Sequence, residues 1–313
     1  MKRQIHDRLF CLAVLSFMPL AVDFASAGEP LSWKLKPGQQ FDVEIIQTMK
    51  QFSKILGNDG VMRQTTKICM SWVVDQVDGE GNSHLTQIIE RISVNIQAPQ
   101  GELIYDSNAK EEPAGMARVL ADTMSPMVGA KIVQTMNKRG QILDVTVPDE
   151  ALSGLRQNPL TKQLISDSFM KDSFATASPE FPAEALVKGQ YWQSSTEMRS
   201  PVGPMKLNNT YTYRGSEHRN GHQLERIGIK VEMELDEKPN ALGVKIDLKD
   251  QENDGEILFD NQLGHLIEST MVQKMTMTIN AFGQTVDQRT ENTQHLTIRP
   301  TETKKGDATE TKP

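Results

Sequence analysis

Between residues 224 and 233 the chain reads LERIGIKVEM, with Ile227, Ile229, Val231 and Met233 at alternate positions and Gly228, Lys230 and Glu232 between them. A period of two sends successive side chains to opposite faces of an extended strand, so one face is apolar and the other solvated. The same pattern follows the turn-rich DGEGNSH at 78–84, in LTQIIERISVNI. Clusters such as DGEG, HRNG and ENDG separate the alternating stretches, and Asn-Gly and Asp-Gly are the pairs that close tight hairpins. A chain of this kind builds antiparallel sheet, and the sheet's apolar face must be covered by something else in the fold.

Several strings recur. GELIYDSN at 101–108 returns as GEILFDNQ at 255–262, GQQF at 38–41 as GQYW at 189–192, and NKRGQILD at 137–144 as NQLGHLIE at 261–268. In the second half the last string follows the first at once, as in a β-hairpin with glycine at the turn. In the first half about thirty residues intervene, where Met116, Val119, Leu120, Thr123, Met124 and Met127 fall at the spacing of one helix face. A further helix is expected from Asn158-Pro159, a cap followed by proline in the first turn, carrying Leu160, Leu164, Ile165 and Phe169. The expected fold is therefore mainly β (α+β). Two similar antiparallel units arise from an internal duplication, with a helical insertion in the first and a helical link between them. The boundaries are a signal peptide at 1–27, the first unit at 28–147 with its insertion near 109–128, the link at 148–182, the second unit at 183–300 and a disordered tail at 301–313.

The expected signal peptide rests on Lys2, Arg3 and Arg8, an apolar run from Leu9 to Val22 and the small residues Ala25-Ser26-Ala27. Export to the periplasm or the extracellular space follows. Cys11 would leave with the peptide, so Cys69 is the one cysteine left and no internal disulfide can form. In TTKICMSW it reads as a small buried residue on a strand. The formal net charge of −7, without a basic stripe, argues against nucleic acid. No later apolar stretch is long enough to span a bilayer.

WKLKPGQQFDVEIIQ near the start of the mature chain and FPAEALVKGQYW midway, with Pro182, Val187, Gly189 and Trp192, carry a family resemblance. The chain resembles an uncharacterised family of exported bacterial proteins, common in planctomycete-type bacteria and known only as a domain of unknown function. The resemblance covers most of residues 31–299. It implies export and a β-rich fold, and it brings no activity, cofactor or catalytic residue.

Site chemistry is sparse. His218 and His222 are four apart, but SEHRNGH is a turn and offers no glutamate where a zinc-protease helix holds its base. His84 stands at the comparable turn of the first half. No G-x-S-x-G elbow and no phosphate-cradling loop is present. Asp247 with Asp250, and Asp254 with Glu256, lie in DLKDQENDGE, which fits a solvated loop. No catalytic, cofactor or metal residue is assigned, and the chain is read as a non-enzyme without cofactors.

Methionine is the compositional oddity, at sixteen against ten phenylalanines. It is flexible and polarisable, and suits apolar surfaces that adapt to a guest. Met116, Leu120 and Met124 on the inserted helix, with Met275 and Met277 on one strand face, are the candidate lining of an apolar-ligand site. The function expected is an exported binding module for an apolar ligand such as a lipid. A structural or protein-interaction scaffold of the envelope is the alternative.

Overall fold

The computed structural model describes residues 29–55, 58–154, 178–200, 203–235, 243–281 and 283–301. The expected signal peptide, the stripe from Leu160 to Phe169 and the tail from residue 302 fall outside them. The strands are β1 (Gln40–Ile55), β2 (Asn58–Val77), β3 (Ser83–Ala98), β4 (Gly101–Asp106), β5 (Lys131–Met136) and β6 (Ile142–Thr146). They continue as β7 (Tyr191–Ser200), β8 (Gly203–Arg219), β9 (His222–Leu235), β10 (Lys245–Asp260), β11 (His265–Ala281) and β12 (Gln284–Pro300). Among the described residues there is one α-helix, α1 (Met116–Met124).

All twelve strands belong to one antiparallel sheet, ordered β6-β5-β3-β2-β1-β12-β11-β10-β9-β8-β7, with β4 beside β3. This overturns the expected α+β fold of two units. The first and last strands pair along their length, from Phe41 with Pro300 to Ile55 with Val286, so no boundary divides the sheet. Separated units would leave both strands as long open edges, which folded proteins avoid. The repeated strings mark similar turns within that one sheet. At both Gly38 (φ 82°) and Gly189 (φ 91°) the glycine N–H donates 2.8 Å to the neighbouring strand, at Val74 and Tyr213. The strings GELIYD and GEILFD instead occupy different places, a six-residue side strand and the end of a sixteen-residue central one.

The β8–β9 connection shows how local sequence fixes register. Asn220 (φ 53°) and Gly221 (φ 82°) both have positive φ, and Arg219 pairs directly with His222. Two left-handed residues match the twist of the flanking strands in a two-residue hairpin, and Asn-Gly tolerates both.

The edge of β3 is shared. β5 pairs with Ser83–Ile88 and β4 with Ser93–Ala98. Between β4 and β5 the chain crosses the sheet as α1 and a 3-10 turn at Ser125–Met127. There Ala121, Leu120, Met124 and Met127 pack on Ile89, Ile92, Val94 and Tyr105.

A larger core plugs one end of the sheet. Two segments outside the strands bring in Leu31, Trp33, Phe181 and Leu186, which pack with Phe41, Leu85, Met136, Ile227, Phe259 and Ile298 from strands across the sheet. Trp33 N–H donates to Lys138 O at 2.8 Å, in the β5–β6 turn, and Lys34 N–H to Gly264 O at 2.9 Å, in the β10–β11 turn. One short segment therefore bridges two hairpins that are five strands apart in the sheet order, which requires the sheet to curl around it. Phe259 is fully buried, edge-on to Trp33 at 5.5 Å and to Phe181 at 4.9 Å. A Cβ on Gly264 would come within 2.4 Å of Lys34 N, so glycine is needed for that approach.

Candidate functional site

The sheet face that carries both cores, the inner face, differs chemically from the outer one. On β1 the inner positions are Phe41, Val43, Ile45, Gln47, Met49 and Gln51, while Asp42, Glu44, Lys50 and Lys54 alternate on the outer side. Register carries the same division across the sheet. Val43 stands opposite Ile298 and Met70, and Gln47 opposite Gln294 and Thr66. Farther along, Asn253, Gln273 and Asn292 form one inner row across β10, β11 and β12, and Gln251, Met275 and Thr290 form the next. Along the paired stretches of β1, β2 and β8–β12 the inner positions hold one Asp, Glu, Lys or Arg side chain, Glu225. The residue is 7 % exposed, and its carboxylate accepts from Tyr213 Oη at 2.5 Å, Ser216 Oγ at 2.7 Å and Gln223 Nε2 at 3.2 Å. Burial, and next the hydrogen bond to Glu225, hold the Tyr213 phenol above its ordinary pKa.

Charges on the outer face pair across strands: Lys67 with Glu44 at 2.5 Å, Lys274 with Glu252 at 2.8 Å and Arg226 with Glu256 at 2.7 Å. Cys69 lies opposite Glu44 on this outer face, half-buried and free, not in the core as its strand setting led us to expect.

The inner face extends well past the plug. The plug takes only Phe41 and Val43 from β1, so about twelve further residues at roughly 3.4 Å each leave about 40 Å of strand beyond it. That length is paved by amides, threonines and methionines. Asn292 Nδ2 donates 2.8 Å to Gln273 Oε1, while the Oδ1 atoms of Asn253 and Asn292 are buried without a partner.

Between β9 and β10 the sheet opens. Backbone pairing ends at Lys230 with Asp254. Next, Asn253 Nδ2 reaches Val231 O at 3.2 Å. Then the longer Gln251 spans the gap, accepting from Met233 N at 2.9 Å and donating to Met233 O at 2.8 Å. An amide side chain thus takes the place of a strand's peptide group. Beyond it lies a cleft of about 700 Å³ lined by Met233–Leu235 and Lys245–Gln251.

The predicted lining residues do not form one group. Met275 and Met277 are half-buried on the inner face of β11. Leu120 and Met124 pack into the core beneath α1. Met116, on the first turn of that helix, is 70 % exposed. Sequence reasoning missed the amide rows, although the spacing of Gln47, Gln273, Gln288, Asn292 and Gln294 on alternating strands was visible.

Of the histidines, His218 is exposed at the hairpin tip. His84 bonds Thr135 Oγ1 at 3.1 Å, and His295 bonds Thr270 Oγ1 at 3.0 Å. Asp247, Asp250, Asp254 and Glu256 share the outer face of β10. Among the described residues no group of three or more His, Cys, Asp or Glu is placed to hold a metal, and no helix is long and apolar enough to cross a membrane.

No curated protein matches the chain. Among solved structures it is similar to lipovitellin, from a study of lipid–protein interactions, at 10 % identity and TM-score 0.45. That alignment covers 85 % of this chain and 25 % of lipovitellin, so the chain spans about a quarter of that protein's length. It is also similar to an outer membrane channel of Pseudomonas putida F1, at 8 % identity and TM-score 0.24 over 85 % of this chain and 97 % of the channel. A model of a family of unknown function, DUF6263, matches residues 80–281. That stretch runs from the turn before β3 to the last residue of β11, more than half of the chain, and the protein therefore belongs to the family of unknown function DUF6263.

Proposed function

We propose that this protein is an exported, non-catalytic binding protein that holds an uncharged, lipid-like ligand against the inner face of its sheet. The observation that carries the reading is the segregation of charge. Charged residues stand on the outer side of the long strands, and the inner side beyond the plug offers methionine, threonine and amide groups. Hydrocarbon laid on such a face displaces no ion from water, a cost that a mixed surface would impose. Methionines such as Met49, Met271 and Met275 adapt their shape to a flexible chain. The amides beside them can hydrogen-bond the ester, hydroxyl or amide groups of a neutral headgroup.

Native mass spectrometry of protein taken from its own envelope, followed by solvent extraction, tests the proposal. The expected result is a reproducible neutral lipid in stoichiometric amount. Protein that arrives lipid-free, and takes up no neutral lipid from vesicles, overturns the reading and leaves a scaffold of the envelope in its place.

A further inference from the structure

The strand order ends in β6 on one side and β7 on the other, and the two edges are not alike. β6 is five residues long, and its register with β5 slips between Thr135 and Met136. Short length and a bulge are two of the devices that keep an edge from pairing with another chain. β7 has neither. It runs ten residues without proline, and its ladder with β8 is regular throughout.

The ladder also settles which peptide groups of β7 point away from the sheet. Tyr213 N–H donates to Gln190 O at 2.9 Å, and the same register continues through Trp192 with Tyr211. Peptide groups alternate from side to side along a strand, so the even-numbered residues of β7 bond β8. Those of Tyr191, Gln193, Ser195 and Glu197 face outward, and among the described residues no backbone bond reaches them. All four side chains are exposed, Tyr191 at 66 %.

The sequence of this edge fits a copy of itself. A two-fold axis at Ser195 sets Ser195 against Ser195, Gln193 against Glu197 and Tyr191 against Arg199. Each of these pairs joins outward-facing peptide groups and exchanges two bonds, about ten across the ladder. Between them, on the inner side, Ser194 meets Thr196 and Trp192 meets Met198. Glu197 thus stands opposite an amide that can donate to it, twice per interface, whereas an axis at Glu197 would oppose two carboxylates. An isologous contact demands this kind of self-complementarity. The axis stands perpendicular to the sheet, so both inner faces look the same way.

We propose that two copies of this chain pair antiparallel through β7, with Ser195 at the two-fold axis, and run their sheets into one. The proposal does not depend on a lipid at the inner face.

Sedimentation velocity of the purified full chain, in a concentration series up to about 0.1 mM, tests it. A reversible dimer is expected. Gln193→Lys sets an ammonium opposite Glu197 and should tighten the dimer about fivefold, whereas Gln193→Glu sets a carboxylate there and should loosen it by a similar factor. Opposite responses at one exposed position cannot come from misfolding. Ser195→Pro removes an outward N–H and leaves the ladder to β8 intact. It should weaken the dimer about thirtyfold, the worth of the two bonds exchanged at the axis. A monomer at every concentration, a dimer indifferent to Ser195→Pro, or no opposite response to the two charges at Gln193 overturns the proposal.

Discussion

His265 shows how much one buried ring can decide. Burial, the largest influence, holds its pKa below the ordinary 6.5, while the Leu266 carbonyl and the Asp260 charge act in the opposite direction and His222 adds to the lowering. The folded protein therefore binds this proton less readily than the unfolded chain. The stability that the neutral ring contributes is complete above about pH 6.5, the unfolded value, and is lost as pH falls toward the lower folded value. The melting temperature should fall on acidification through that window, and His265→Phe should flatten this limb of the profile. A profile with the same slope in the variant would show that another group sets the acid limit. Nothing in GHLIES marked this histidine as buried. Its setting depends on Phe41 and the end of β12, which lie far away in the chain and meet it only in the curled sheet.

Gln251 plays a comparable part for an element. It lies one register step beyond Asn253 on β10, where β9 has already left the ladder, and its amide both accepts from and donates to Met233. Gln251→Leu removes both bonds at nearly constant volume, so the cost should be about 1–3 kcal/mol for two partly buried backbone groups left unpaired. Hydrogen exchange would report it locally, with faster exchange at the Met233 amide and no change at Ile227, which stays paired with Ile257. Unchanged exchange at Met233 would mean that the splay is held by something other than the amide. At this scale much was legible. The alternation of Ile227, Ile229, Val231 and Met233 gave the strand and its inner side, and Asn220-Gly221 gave the hairpin. The end of the pairing was not legible, because β9 continues to alternate after its neighbour has moved away. The α1 face was legible only in part. Leu120, Met124 and Met127 pack as their spacing predicts, whereas Met116 and Val119 remain 70 % and 53 % exposed because the nine-residue helix rests on the sheet only at its far end.

The division into two units failed at the scale of the molecule because local repetition does not say which strands pair. Repeated turns at Gly38 and Gly189 read as two beginnings, yet β12 returns to β1 and joins everything into one sheet. The functional consequence of that closure is a continuous inner face, and neighbouring residues on β11 allow a direct test of it. Met275 faces inward between Gln251 and Thr290, and Thr276 faces outward beside Arg289 and Asp250. Lysine at either position adds the same charge to the same strand, so the face is the main difference between the variants. Thr276→Lys should stay within about 0.5 kcal/mol of the parent, as exposed substitutions do. Met275→Lys places an ammonium on a face whose single carboxylate among the described residues of these strands, Glu225, lies at the other end and is already held by Tyr213, Ser216 and Gln223. That variant should lose about 1–3 kcal/mol and, if the inner face is where the ligand sits, its co-purifying neutral lipid as well. Lipid retained equally by both variants would separate ligand binding from the inner face, even if the stability difference came out as expected.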